Sequence, residues 1–163
     1  MSDGPTVDPR AEPGTYALLL RAHTEQTIEV GALGELTVRP GMYVYIGSAF
    51  GPGGVRARVR RHARADGARH WHVDYLRSGT TLEAVWYTHD PTRRECVWAA
   101  GLRDEPAARV PLGGFGASDC DCPSHLVAVP SAPSFAAFRE RMQDEYPNHA
   151  PLRRVDGTVL PGG

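Results

Sequence analysis

The sequence predicts an α+β fold, a small and mainly antiparallel sheet flanked by helices. Three observations carry this expectation. Short runs of alternating apolar residues crowd the first half of the chain, separated by glycine and proline turns. Helical periodicity enters only after them, first in an arginine-rich stretch and later in two further stretches. The resulting order is strands, then a helix, then strands and helices mixed, rather than a strict strand–helix alternation. A length of 163 residues with 41% apolar content suits one soluble domain with an ordinary core.

Taken in order, residues 1–13 are polar and proline-containing and read as a flexible leader. A single domain is expected over 14–146, and 147–163 reads as a C-terminal tail tethered by Leu152, Val155 and Val159. Gly14 to Arg21 forms a strand with Tyr16, Leu18 and Leu20 on one face. Gln26–Val30 and Glu35–Val38 alternate as an extra hairpin around Gly31 and Gly34, and Pro40-Gly41 turns the chain into a strand over Met42–Ile46 that ends at Gly47. A glycine-rich bend leads to a helix in which Val55, Val59 and Ala63 share a face. His70 to Leu76 alternates and predicts a strand with Trp71, Val73 and Tyr75 on one side; Leu82–Thr88 predicts another. Asp90-Pro91 reads as a helix start and Gly101 as its stop. His125–Val129 is a short strand, and Ser134 to Glu145 is a helix showing Phe135, Phe138 and Met142.

Charge is distributed unevenly. The net charge is −1, yet Phe50 to His70 holds six arginines against one acid, Asp66. The chain has no lysine, so every fixed cation is a planar guanidinium suited to bidentate phosphate contact. Arg56, Arg60, Arg61 and Arg64 point away from the apolar face of their helix, either as a solvated surface or as a nucleic-acid contact. No run is long enough to cross a bilayer and no N-terminal charged-then-apolar signal is present, so a cytoplasmic location is the default expectation.

Two helices break the pattern in a matched way. Arg58 and His62 lie on the apolar face of the first, and Glu95 lies on the apolar stripe of the second with Trp98, Ala99 and Leu102. An unpaired buried charge costs several kcal/mol. Either Arg58 and Glu95 form a buried ion pair, or both border a cleft in which Glu95 holds a divalent cation and Arg58 a phosphate oxygen. Mg²⁺ suits one or two carboxylates because it keeps several waters.

These residues also carry a family resemblance. Gly14-Thr15-Tyr16 resembles the first half of the GIY-YIG nuclease signature, and Tyr45-Ile46-Gly47 matches the second half. Arg58 and His62 stand where that family has an arginine four residues before a histidine, and Glu95 stands where it has a metal-binding glutamate. More closely, the chain resembles an uncharacterised subfamily with a HWH-x-DYL stretch, here His70 to Leu76, and a GFG-x-SDC-x-C-x-SHL stretch, here Gly114 to Leu126. It departs from the typical pattern in the hairpin inserted between Tyr16 and Tyr45, which antiparallel pairing of the two motif halves survives only if the hairpin folds outside the sheet. The family's late asparagine has no counterpart.

The resemblance implies hydrolysis of phosphodiester bonds in DNA, in preference to RNA, with Mg²⁺ or Mn²⁺ on Glu95 and Arg58 meeting the charge that develops on the phosphate. Tyr16 would activate water, Tyr45 would order the same pocket, and His62 would hydrogen-bond a tyrosine hydroxyl or shuttle a proton. On their own, both tyrosines also read as ordinary half-buried sheet residues. Targeting would come from this domain or from a protein partner. The competing readings are a non-catalytic nucleic-acid-binding module and a zinc- or redox-responsive interaction domain. The last rests on Cys120, Cys122 and His125, three soft ligands within six residues, with Asp119 and Asp121 adding oxygens and Cys96 next to Glu95. His70 or His72 would have to supply a fourth zinc ligand. Packing of small cysteines beside a turn is the alternative for this run.

Overall fold

The computed structural model describes residues 9–64, 72–115 and 123–157. Five strands form one antiparallel sheet: β1 (Gly14–Ala22), β4 (Gly41–Ala49), β5 (Thr81–Thr88), β6 (Leu126–Val129) and β7 (Leu152–Asp156), in the order β6-β4-β1-β5-β7. The inserted hairpin, β2 (Gln26–Glu29) and β3 (Glu35–Val38), pairs only with itself and forms a separate two-stranded sheet. β1 and β4 therefore remain direct neighbours, with Tyr16 opposite Gly47. The chain between β1 and β4 leaves the sheet and returns to it.

Both faces of the sheet are covered, which is why β1 and β4 read as nearly continuous apolar runs. On one face Tyr16, Leu18, Leu20, Tyr43 and Tyr45 pack with α1 (Gly54–Ala63), α2 (His72–Arg77) and the hairpin residues Leu36 and Val38. On the other, Ala17, Leu19, Val44, Ile46 and Trp86 pack with α3 (Glu95–Arg103) and α4 (Phe135–Glu145). The alternation of side chains along one strand thus feeds two cores.

Several sequence expectations are corrected. The stretch expected as a strand over His70–Leu76 is helical in its described part, α2, which buries Val73, Leu76 and Arg77 at i, i+3, i+4 spacing. Over so short a window, alternation fits a strand and a helix turn equally well. Arg77 is only 8% exposed, and its guanidinium donates to the carbonyls of His62, Ala63 and Thr80, closing the C-terminal end of α1. β4 does not stop at Gly47 but continues to Ala49. α3 starts at Glu95, not at Asp90-Pro91, because Asp90 accepts from the Thr92 and Ala150 N–H groups and from Arg94 Nε, which holds a turn ahead of the helix. Gly101 is not a stop but lies inside α3, where a Cβ would sit 2.9 Å from Met142 Cε of α4. Close helix approach explains that glycine.

The two ends of the domain are also more integrated than expected. Residues 152–156 of the expected tail form β7 on the outer side of β5, with Leu152 and Val155 buried; Val159 lies outside the described residues. At the other end, the carbonyls of Glu12 and Arg10 accept the Val55 and Arg56 N–H groups, and Arg56 Nε donates to the Pro9 carbonyl at 3.0 Å. The described end of the leader thereby satisfies the first turn of α1, whose Gly53 N-cap offers no side-chain acceptor. Among the described residues no helix is long and apolar enough to cross a membrane.

Candidate active site at the end of β4

The site is assembled where β4 leaves the sheet. Pairing of β1 with β4 sets Tyr16 across from Gly47, and this requires a glycine. A Cβ at Gly47 would lie 2.6 Å from the Tyr16 hydroxyl and 3.1 Å from the Tyr45 ring. The Tyr-Ile-Gly glycine is thus the floor on which the tyrosine rings lie. Tyr16 and Tyr45 stand on the same face with ring centroids 6.4 Å apart, and both are buried, at 1% and 7% exposure.

α1 lays His62 and Arg58 over this pair. His62 Nε2 is 2.9 Å from the Tyr16 hydroxyl, and the imidazole is buried. The Arg58 cation acts on the Tyr16 oxygen and favours its charged form. A positive charge beside the phenol oxygen favours turning the Tyr16 proton away from it, toward His62 Nε2. Asp74 of α2 fixes the other side of the ring, with its Oδ1 3.9 Å from His62 Nδ1 and its Oδ2 2.8 Å from Arg61 Nη2. A carboxylate facing Nδ1 favours the tautomer with its proton there, leaving Nε2 as acceptor. The four side chains therefore line up as Arg58, Tyr16, His62 and Asp74, with the Tyr16–His62 hydrogen bond at the centre and a charged group at each end.

Burial decides the protonation states. It lowers the His62 pKa to about 3 against the raising influence of Asp74, so the imidazole is neutral near pH 7. It holds the Tyr16 phenol well above its ordinary value; neighbouring Tyr45 adds to this, and Arg58 opposes it. Tyr45 is likewise raised by burial, with Arg58 opposing and the charges of Glu95 and Asp74 contributing. The fields of Arg58, Glu95 and Asp74 thus meet at the Tyr45 hydroxyl.

Glu95 reaches the site from the opposite layer. It is the first residue of α3, and the preceding residue is tied to β1 by the Arg94 N–H bond to Thr15 Oγ1 at 3.1 Å. Arg58 Nη1 donates to the Ser48 carbonyl at 3.3 Å, Arg93 Nη1 donates to the Ser48 hydroxyl at 3.0 Å, and the same Arg93 nitrogen lies 3.9 Å from Glu95 Oε1. Arg93 also rests over the Phe50 ring at 4.5 Å. Of the two alternatives open for Arg58 and Glu95, a direct ion pair does not form: among the described residues the cation within ion-pair reach of Glu95 is Arg93, through a longer and partly open contact. Arg58 and Glu95 instead flank Ser48.

Among the described residues no three His, Cys, Asp or Glu side chains gather closely enough to cage a metal ion. Glu95 fits the alternative, a single carboxylate with 18% side-chain exposure and a long contact to Arg93, leaving an oxygen for an ion that keeps waters and substrate oxygens as its remaining ligands. Cys120, Cys122, Asp119, Asp121 and His70 lie outside the described residues. His125 is buried just before β6, its backbone bonded to Ile46 and Phe115, and the His72 ring lies 5.5 Å from Phe115, tilted at 60°.

The arginine face of α1 divides. Arg56 is spent on Pro9 and Arg61 on Asp74, whereas Arg60 and Arg64 are exposed. Three contributors escaped the sequence reading: Asp74, Ser48 and Arg93. Asp74 had a signal, since it belongs to the His70–Leu76 motif, but the strand expectation turned it away from His62. Comparison with curated proteins and with solved structures finds no match in either. Over residues 15–146, however, the sequence matches the family described as Domain of unknown function DUF123. That span covers most of the chain, both paired tyrosines and all the residues gathered around Ser48, and the chain belongs to the DUF123 family.

Proposed function

We propose that this protein is a metal-dependent endonuclease of the GIY-YIG type that hydrolyses phosphodiester bonds in DNA. The observation that carries the reading is the convergence of Tyr16, Tyr45, Arg58, His62 and Glu95, drawn from β1, β4, α1 and α3, on the Ser48 end of the sheet. The inserted hairpin leaves the β1–β4 pairing intact, which removes the main sequence objection to this reading.

In this scheme Arg58 and Arg93 present guanidinium donors on either side of Ser48 and receive phosphate oxygens. Such positioned donors contribute about 10²–10³ in rate where charge develops on a transferring group. Glu95 is the residue that would hold Mg²⁺ or Mn²⁺, which when bound supplies Lewis-acid polarisation of the phosphate. Tyr16 relays a proton. Its oxygen takes one from the attacking water while its own passes to His62 Nε2, and the resulting imidazolium is stabilised by Asp74. The arrival of a phosphate anion raises the basicity of His62, because a nearby negative charge favours the protonated ring. Arg60 on α1 and Arg64 at its C-terminal cap are exposed and would contact backbone phosphates beyond the scissile one.

Nicking of supercoiled plasmid and of branched DNA with Mg²⁺ or Mn²⁺ tests the proposal. The wild-type chain is expected to cleave, and Glu95→Ala to bind DNA with similar affinity without cleaving. Equal cleavage by Glu95→Ala would overturn it. Metal-independent DNA binding with no cleavage by the wild type would instead identify a non-catalytic binding module that uses the exposed Arg60 and Arg64.

A further inference from the structure

At the opposite end of β4 from Ser48, the chain enters the strand beside a cavity of about 210 Å³. Arg39 to Tyr43 line one side, Ala107 and Arg109 a second, and Ala128 to Pro130 the third. Its lining holds two guanidiniums and no carboxylate. Among the described residues neither Arg39 nor Arg109 has an acidic partner within ion-pair distance.

Between them lies the Tyr43 hydroxyl. The side chain is 1% exposed, and its oxygen accepts the Arg39 N–H at 2.8 Å and Arg109 Nη2 at 3.4 Å. Both contacts use the hydroxyl oxygen as acceptor, so its own proton is available for a further bond. Ala107, on the wall, is held at φ 62°, a left-handed conformation that side-chain-bearing residues seldom adopt. The cavity thus gathers donors and positive charge with no carboxylate to oppose them. It is smaller than the ~300–1,000 Å³ of most drug-sized pockets, so it suits a small ligand or one group of a larger one.

We propose that this cavity is a binding site for a phosphate-type oxyanion, gripped by Arg39 and Arg109 and accepting the Tyr43 O–H. The site is separate from the Ser48 cluster and does not rest on the nuclease reading. The same chemistry is offered by a free phosphate or phosphomonoester and by a phosphate of a polynucleotide.

Titration of the full chain with inorganic phosphate at constant ionic strength, followed by the backbone amide resonances of Met42, Arg109 and Ala128, tests it. Saturable shifts at these amides are expected. Arg109→Gln should weaken binding about tenfold or more, as loss of a hydrogen bond to a charged group does; Tyr43→Phe, which keeps the buried ring, should weaken it less. Arg58→Gln should leave these shifts in place, which separates this site from the Ser48 cluster. A hydroxyl-terminated DNA duplex that shifts the same amides identifies the polynucleotide as the source; phosphate and phosphomonoesters acting alone identify a small ligand. Absence of a saturable shift, equal shifts with chloride, or unchanged affinity in both Arg109→Gln and Tyr43→Phe would overturn the proposal.

Discussion

Two buried histidines on opposite faces of the sheet each lie beside an aspartate and serve different ends. On the α1 face, His62 sits between the Tyr16 hydroxyl at 2.9 Å and the Asp74 carboxylate at 3.9 Å. On the α3 face, His149 Nε2 accepts the Trp98 indole N–H at 2.9 Å, its Nδ1 bonds the Ala150 carbonyl at 2.6 Å with Asp90 beyond at 3.7 Å, and its ring is stacked on Trp98. Burial lowers the pKa of both histidines. The difference lies in the group that donates to the ring. An indole N–H does not exchange its proton in ordinary acid–base chemistry, whereas a phenol does. Asp90 is further closed by the N–H groups of Thr92 and Ala150 and by Arg94, which outweigh the effect of burial and leave its pKa lowered. The Asp90 cluster is a knot that ties β7's approach to α3. The Asp74 cluster ends on a proton that can move, beside two arginines and a glutamate.

The contrast can be broken from either side. Asp90→Ala should cost about 3–5 kcal/mol, because it strands Arg94 and frees the Ala150 N–H in a buried setting; urea unfolding measures this. Gly47→Ala acts on the other cluster. Its methyl would collide with the Tyr16 hydroxyl, so a stability loss of about 1–3 kcal/mol is expected from overpacking, accompanied by loss of the Tyr16–His62 bond visible in the imidazole resonances of His62.

A smaller, continuous effect follows from protonation. His62 takes up a proton near pH 6.5 when unfolded and near 3 when folded. Between those values the unfolded state binds more protons, so stability falls as pH is lowered through that window, at up to about 1.4 kcal/mol per pH unit from this residue. Above pH 6.5 the contribution is constant. His149 acts in the same direction. Denaturant midpoints measured across this window should therefore show a shallower decline for His62→Gln than for wild type.

Much of this organisation was legible from residue order. Arg58, His62 and Glu95 stand out because charged and polar groups on apolar helix faces demand an explanation, Tyr16 and Tyr45 stand out only through the family resemblance, and the structure brings all five to one end of β4. Their partners were hidden for physical reasons. The Arg93 contact to Ser48 depends on a loop between β5 and α3 whose course is set by Asp90 bonding across to Ala150, sixty residues away. β7 was hidden because a short strand with two apolar residues, Leu152 and Val155, looks like a tethered tail until β5 offers an edge. Asp74 was misplaced because alternation in a short segment does not separate strand from helix.

The proposed chemistry at the Ser48 end of the sheet turns on the direction of one hydrogen bond, from the Tyr16 phenol to an uncharged His62. Nitrogen-15 spectra of the His62 imidazole test it directly. The arrangement predicts a protonated Nδ1, a bare Nε2 and no protonation of the ring down to about pH 5. A proton resident on Nε2, or a doubly protonated ring at that pH, would contradict it.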